Sequence, residues 1–235
     1  MSAGPALVLV AHGSRDEAAH ACVGDVADAV RATLPGAAVR VGYVDVRAPT
    51  VADTVAGLDS AVVVPAFLAS GYHVRIDLPA QLAAAGAAVQ RFPVSPALGP
   101  DPLLVRAARA RLVEAGWRHG DVVVLAAAGS SDAAALAEVR VAGRLLGAEV
   151  GRRVQIGYAA TASPRVDSLV AGLRAAGAAR IAVASWLLAP GLFHTRLADA
   201  GADVVAAPLG AHPDVVAAVV ARYRASRQEL ARESA

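Results

Sequence analysis

Three apolar segments of this chain occur twice, in the same order along the sequence. The pairs are Val8–Ser14 (VLVAHGS) with Val122–Ser130 (VVVLAAAGS), Val41–Pro49 (VGYVDVRAP) with Gln155–Pro164 (QIGYAATASP), and Phe67–His73 (FLASGYH) with Leu187–His194 (LLAPGLFH). An internal repeat constrains the fold more than any single motif, because each copy must form one structural unit. We therefore expect the 235 residues to form two similar halves, 1–117 and 118–235.

The two copies differ at the polar positions that could carry chemistry. The first copy has His12, Asp45 and His73, where the second has Ala128, Ala160 and His194. A purely structural role would have retained bulk at these positions in both copies. The loss of two polar groups to alanine indicates that the first half carries an active site and that the second half is a degenerate, structural repeat.

Short β-branched runs alternate with longer Ala- and Leu-rich helical patterns, which is typical of βαβ units around a parallel sheet. In the first half this pattern predicts strands Leu7–Val10, Ala38–Tyr43, Ala61–Val64 and Ala88–Arg91, and helices Asp16–Thr33, Thr50–Ala56, Val74–Ala84 and Pro102–Glu114. In the second half it predicts strands Val122–Leu125, Val154–Tyr158, Ile181–Ala184 and Val204–Ala206, and helices Asp132–Glu149, Pro164–Ala175, Leu192–Asp199 and Pro213–Arg227. The predicted fold class is α/β, with two doubly wound parallel sheets.

The three polar positions of the first half are expected to converge at one edge of its sheet. In the common strand order 2-1-3-4, ligands bind outside the carboxyl ends of the strands, where the chain reverses direction. His12 follows the first predicted strand, Asp45 ends the second, and His73 follows the third. All three side chains are therefore predicted to face one crevice.

Composition excludes several classes of protein. All 22 basic residues are arginine, so a Schiff-base lysine and the phosphate-binding lysine of a P-loop are excluded. The net charge is +2 and the arginines are scattered, which argues against nucleic acid as a partner. Cys22 is alone, so an internal disulfide, a cysteine zinc site and an iron–sulfur cluster are excluded. No apolar run approaches the ~18 residues of a membrane span, and we expect a cytoplasmic protein.

The residue types in the crevice are suited to a divalent metal. Two neutral imidazoles bind borderline divalent ions well, and a carboxylate can complete the ligand set. Simpler roles stay open for each: His12 could bond a turn backbone, His73 could be a polar residue at a helix start, and Asp45 could be an ordinary strand-end aspartate. The remaining histidines, His20, His119 and His212, are expected to face solvent.

Three sequence blocks resemble the signature blocks of the sirohydrochlorin chelatases, a family of class II chelatases. The blocks read VLVAHGSRDEAA, YVDVRAPTVADTV and VPAFLASGYHVRIDLP. The resemblance covers nearly all of the first half and, in degenerate form, the second, which is the layout of the family's long form. It implies a lyase-type metal chelatase that inserts Fe²⁺ or Co²⁺ (with Ni²⁺ a further option) into the tetrapyrrole sirohydrochlorin, for sirohaem or cobalamin biosynthesis.

The resemblance also implies roles for individual residues. His12 and His73 would hold the metal and act in catalysis, and Asp45 would assist, although the family often has the longer Glu there. Ser14, Arg15, Arg47 and Arg75 lie within the three blocks, each within a few residues of a site position, and would bind the carboxylates of the substrate. No cofactor beyond the metal substrate is implied, and a monomer with two halves related by a pseudo-two-fold axis is expected. The alternative from another class is a non-catalytic carrier of tetrapyrrole or metal.

Overall fold

The computed structural model describes residues 4–88 and 90–233, which form two parallel sheets with flanking helices. The first repeat contains β1 (Ala6–Ala11), α1 (Glu17–Thr33), β2 (Val39–Tyr43), α2 (Val51–Val55), β3 (Ala61–Pro65), a π-helical turn (His73–Asp77), α3 (Leu78–Ala84) and α4 (Pro102–Glu114). The second contains β4 (Val122–Ala127), α5 (Ala133–Val150), β5 (Gln155–Tyr158), α6 (Val166–Ala175), β6 (Ile181–Trp186), α7 (Leu192–Ala198), β7 (Val204–Val205) and α8 (Pro213–Glu233).

Both sheets have the doubly wound order that the sequence predicts. The first is β2-β1-β3 and the second is β5-β4-β6-β7, and every strand pair is parallel. In register, Ala11 lies opposite Tyr43 in the first sheet, and Ala127 lies opposite Tyr158 in the second. The α/β fold class and the presence of two similar repeats are therefore confirmed, and the first strand of each repeat occupies the centre of its sheet.

The fourth strand predicted for the first half is displaced along the chain. The sequence predicts a strand over Ala88–Arg91, but the amides of Arg91 and Phe92 both donate to the carbonyl of Ala88 and form a turn. Position 89 lies outside the described residues. The backbone of residues 91–95 bonds to β3 instead, because Phe92 is buried in the core cluster there and Val94 packs against it.

The central strands are built from apolar residues because helices cover both faces of each sheet. Every residue of β1 is buried, and so is every residue of β3. Strands of parallel sheets covered on both faces lack the alternation of apolar and polar residues seen in half-exposed sheets. The few aromatic side chains leave Val, Leu and Ala to fill the two cores.

The compact units differ from the continuous halves 1–117 and 118–235. One unit comprises the described residues of Met1–Leu98 and Ala211–Ala235, and the other comprises Gly99–Gly210. The last helix of each repeat has been exchanged, so that α8 packs on α1 and β3 while α4 packs on α5 and β6. The compact units therefore differ from the sequence repeats in their last helix, because a sequence pattern does not say which of two similar sheets a helix covers.

Specific hydrogen bonds hold each exchanged helix in its unit. In α8, the Tyr223 hydroxyl donates to the carbonyl of Pro5 at 2.6 Å, and the Arg222 guanidinium donates to the carbonyls of Ala97 and Leu98. In α4, the Arg111 guanidinium donates to the carbonyl of Leu209 at 3.1 and 3.3 Å.

Among the described residues, no helix combines the length and the apolar character needed to cross a membrane.

Candidate metal-binding active site

The turn after β1 brings the first two strand ends of the first sheet together. The Asp45 amide donates to the carbonyl of His12 at 3.0 Å. Gly13 has a φ of 99°, and a Cβ atom at this position would lie 2.0 Å from the carbonyl oxygen of Asp45. Gly129 in the second repeat has the same conformation against Ala160, with a corresponding distance of 1.9 Å. The glycine therefore belongs to the scaffold that both repeats share, whereas His12 is a feature of the first repeat alone.

The imidazoles of His12 and His73 face each other directly. Their Nε2 atoms lie 3.0 Å apart, and the ring planes meet edge to face, at 88°, with centroids 4.4 Å apart. Sixty-one positions separate the two residues in sequence. Their meeting follows from the sheet order, because β1 and β3 are neighbours and both carboxyl ends lie at the same edge. The predicted convergence of these two histidines is therefore observed.

The hydrogen bonds on the far side of each ring determine where the protons lie. His73 Nδ1 is 2.6 Å from Asp77 Oδ2, and His12 Nδ1 is 3.0 Å from the carbonyl oxygen of Gly13. A carbonyl and a carboxylate only accept hydrogen bonds, so each Nδ1 carries a proton. A neutral imidazole protonated at Nδ1 has a lone pair at Nε2. When both rings are neutral, two such lone pairs face each other, and a shared proton or a metal cation between them would stabilise this arrangement.

A π-helical turn sets the position of His73 relative to Asp77. The sequence predicts an ordinary helix from Val74, but the Leu78 amide donates to the carbonyl of His73, five residues back. Pro79 follows immediately and has no amide hydrogen with which to continue an α-helical ladder, so the helix widens before it. Asp77 is a candidate site residue that the sequence analysis left out, and its spacing of four from His73 was the available signal.

Asp45 does not take the position expected of it. The side chain is exposed, and its Oδ1 accepts a hydrogen bond of 2.7 Å from the amide of Val46, which has a φ of 66°. Thr161, in the matching turn of the second repeat, also has a positive φ, of 59°. Within the described residues, no contact joins the Asp45 carboxylate to either imidazole. The structure brings its backbone to His12, while Asp77 supplies the carboxylate that contacts a ring.

The polar residues expected to bind substrate differ in how free they are. Arg47 donates to both carboxylate oxygens of Glu17, at 2.9 and 3.0 Å, and this ion pair lowers the pKa of the Glu17 carboxyl. The Arg75 Nε donates to the carbonyl of Ser70 at 2.7 Å. The Ser14 hydroxyl accepts from the Asp16 amide, as Ser130 does from Asp132 in the second repeat. Arg15 is exposed.

A cavity of about 550 Å³ opens beside the carboxyl end of β2, lined in part by Tyr43, Asp45, Arg47 and Gln81. Neither imidazole lines it. The Tyr43 hydroxyl lies 2.5 Å from His20 Nδ1, and burial raises the pKa of the Tyr43 hydroxyl, so the phenol keeps its proton. His20 is therefore half-buried against Tyr43 and does not face solvent as expected.

This arrangement places a pair of facing imidazoles at the switch point of one of two similar α/β repeats, and comparison with known proteins identifies the family. A model of the CbiX family matches residues 6–115 and 122–226, once for each repeat. The chain belongs to the CbiX family.

Among the described residues, no group of three or more His, Cys, Asp or Glu side chains is placed to hold a metal ion.

Individual relatives support the same assignment. A sirohydrochlorin cobaltochelatase of Methanopyrus kandleri is 39% identical over 82 residues, covering 33% of this chain and 57% of that protein. The chain thus spans little more than half the length of this relative. The structure of SirB from Bacillus subtilis with Fe³⁺ has a TM-score of 0.81 at 21% identity and covers 95% of this chain and 96% of that one. A second SirB structure from Bacillus subtilis subspecies spizizenii, in complex with cobalt, has a TM-score of 0.78, also at 21% identity, and covers 96% of each chain. At this identity, the two structures show a shared fold.

Proposed function

We propose that this protein is a sirohydrochlorin chelatase, which inserts Fe²⁺ or Co²⁺ into the macrocycle through His12 and His73. The observation that carries the proposal is the pair of Nε2 atoms 3.0 Å apart, with both Nδ1 atoms hydrogen-bonded to acceptors. Membership in the CbiX family and the name of the Methanopyrus kandleri relative favour the same reaction.

The metal is a substrate in this reaction, so the site must hold it loosely enough to release it. Bonds of about 2.0–2.1 Å to two imidazole nitrogens at a tetrahedral angle separate those nitrogens by roughly 3.3–3.4 Å. The two histidines need to move apart by only a few tenths of an ångström to reach that separation. Two protein ligands leave the other coordination positions to water and to the incoming pyrrole nitrogens. Imidazole nitrogens accept both iron and cobalt, which fits either metal.

Insertion also requires the removal of two pyrrole protons. Because each Nδ1 already carries a proton, each Nε2 lone pair can accept one once it releases the metal. Asp77 would stabilise the charge on a protonated His73 through its hydrogen bond to Nδ1. The His12 side chain is exposed, so a macrocycle can approach it from solvent without a rearrangement of the core.

The substrate carries several carboxylates, and exposed guanidinium groups near the histidines are suited to bind them. Arg15 and Arg75 are both exposed and flank the two histidines in sequence. Arg47 is a weaker candidate, because it must first release Glu17. The presence of both repeats in one chain favours a monomer, which sedimentation analysis would check.

Absorbance spectroscopy under anaerobic conditions tests the reaction. Sirohydrochlorin is mixed with Fe²⁺ or, separately, Co²⁺, in the presence of wild type, His12→Ala, His73→Ala or no protein. His194→Ala is the matched control, because His194 is the histidine of the degenerate repeat and bonds the carbonyl of Ala206 at 3.3 Å. We expect wild type and His194→Ala to accelerate insertion and the two site variants to approach the uncatalysed rate.

Two other outcomes would contradict the proposal. Full activity in His12→Ala would separate the reaction from the imidazole pair. A spectral shift on binding, with insertion at the uncatalysed rate in wild type, would indicate a carrier of tetrapyrrole. Circular dichroism of each variant shows whether a loss of activity reflects a loss of fold.

A further inference from the structure

A groove lined by arginines lies in the second unit, away from the carboxyl ends of its strands. Its volume is about 460 Å³, and four of the residues that line it are arginines: Arg140, Arg144, Arg152 and Arg153. Arg152 and Arg153 come directly before β5, so the groove lies at the amino-terminal end of that strand. Volumes of ~300–1,000 Å³ are typical of sites for small molecules.

The four arginines line one groove, and none of them forms an ion pair with a described residue. Arg140 and Arg144 are four residues apart on α5, where side chains of like charge repel each other. Arg140, Arg144 and Arg153 form no hydrogen bond or ion pair with any described residue. Arg152 is held in place, because its Nη1 donates to the carbonyl of Asp121 at 2.5 Å. Neither glutamate of α5 lines the groove.

The first repeat shows that the fold does not require this basic groove. Aligned on the caps Asp16 and Asp132, α1 has Gly24 and Asp28 where α5 has Arg140 and Arg144. Arg31 occupies the position that corresponds to Gly147, and its guanidinium reaches across to the carbonyl of Val39 at 3.1 and 3.3 Å. In the first repeat, the Arg31 side chain therefore lies in the region that corresponds to the groove of the second repeat.

Close packing explains the glycines of the groove but not its arginines. A Cβ atom at Gly147 would lie 3.0 Å from the carbonyl oxygen of Arg152, and one at Gly143 would lie 3.0 Å from the side chain of Ile156. Both positions thus have little room for a side chain. Gly143 and Ile156 also give the groove an apolar floor beneath its cationic rim.

We infer that this groove binds a compact anion with carboxylate or phosphate groups around a partly apolar body. The planar guanidinium group binds both kinds of oxyanion through two parallel hydrogen bonds. An anion would neutralise the repulsion between Arg140 and Arg144, and the floor at Ile156 would contact the body of the ligand. This inference does not depend on the proposed function, because it concerns only side chains of the second unit.

Glycine amides report binding at this groove without interference from other sites. The protein is labelled with ¹⁵N-glycine and titrated with benzene-1,3,5-tricarboxylate or, separately, pyrophosphate. We expect the Gly143 and Gly147 signals to shift and saturate with a dissociation constant below about 1 mM, while Gly24, at the position of α1 that matches Arg140, stays unchanged. The probe that binds more tightly shows whether the natural ligand carries carboxylates or phosphates.

Charge-matched variants test whether the arginines are responsible. Arg140→Gln/Arg144→Gln should raise the dissociation constant about tenfold or more, by loss of bidentate contacts. The control Arg109→Gln/Arg224→Gln removes two exposed helical arginines elsewhere and should leave binding within about twofold of wild type. The single variant Arg144→Gln replaces the double one if circular dichroism shows that the latter is unfolded. Equal shifts at Gly24 and Gly147, no shift at all, or equal binding by both double variants would overturn the inference.

Discussion

Replacing Asp77 by asparagine tests which carboxylate supports the metal site. The carboxylate accepts the Nδ1 proton of His73 at 2.6 Å and thereby keeps the lone pair on Nε2, facing His12. Asparagine has nearly the same size but no charge. Its carbonyl can accept the proton only as a neutral partner, and its amide group would instead donate to Nδ1, which moves the ring proton to Nε2 and blocks the ligand atom.

The expected effect follows from the strength of that hydrogen bond. A hydrogen bond to a charged group contributes about 1.5–3 kcal/mol, compared with about 0.5–1.5 kcal/mol for a neutral one. The loss is then roughly 1–1.5 kcal/mol, or about tenfold in metal affinity. The side chains of His73 and Asp77 are 38% and 29% exposed, so water screens the charge. We therefore expect the lower part of the 10–100-fold range that is typical of groups that orient a metal-binding histidine.

Titration with Co²⁺, followed by absorbance and calorimetry, measures the affinity, and ¹⁵N spectra of the histidine rings report the tautomer of His73. Asp45→Asn is the matched control, because its carboxylate contacts the amide of Val46 and neither imidazole. We expect Asp77→Asn to weaken binding about tenfold and Asp45→Asn to bind as wild type does. Unchanged affinity and tautomer in Asp77→Asn, or a large loss in Asp45→Asn, would refute the reasoning.

Three further predictions concern the scaffold, and the unfolding of each variant is measured by circular dichroism. Gly13→Ala should prevent stable folding, because its Cβ would lie 2.0 Å from the carbonyl oxygen of Asp45. The control Gly36→Ala has a similar φ and open space around the Cβ, so it should lower the free energy of unfolding by only about 1 kcal/mol. The amide of Ile181 and the Arg174 guanidinium lower the pKa of Asp203, so this carboxylate stabilises the fold fully above about pH 4 and loses that contribution as the pH falls through its lowered pKa. Asp203→Asn should therefore melt below wild type at pH 7, and the difference should shrink as the pH is lowered below about 4. Tyr223→Phe should lose about 0.5–1.5 kcal/mol of stability with the bond to Pro5, and no loss would contradict the docking of α8.

The sheet order and the meeting of His12 with His73 were predictable from the sequence. Apolar β-branched runs alternate with helical patterns, and parallel crossovers are right-handed, so few strand orders remain. In the order 2-1-3-4, both histidines follow neighbouring strands at the same edge. The repeat added the contrast with Ala128, which made His12 a candidate functional residue and not a residue that the shared scaffold requires.

The partner of His73 was not predictable in the same way. Asp45 stands at a strand end, where a carboxylate commonly faces a site, yet its side chain turns to the amide of Val46. Asp77 reaches His73 through a π-helical turn whose geometry depends on Pro79. Arg47 similarly pairs with Glu17, thirty positions away. Such side-chain contacts depend on rotamers and local backbone geometry, which sequence spacing does not define.

By itself the sequence determined the two α/β repeats, the parallel strand order and the histidine pair, because these follow from hydrophobic periodicity and from the handedness of the chain. Only the tertiary structure decided which sheet each last helix covers, so that α8 joins the first unit and α4 the second. It also decided that Gly147 leaves a groove open among arginines. The first outcome depends on which of two similar sheets a helix packs against, and the second depends on the close approach of Gly147 to the carbonyl of Arg152. A sequence pattern defines neither, because both are contacts between segments that are brought together only when the chain packs.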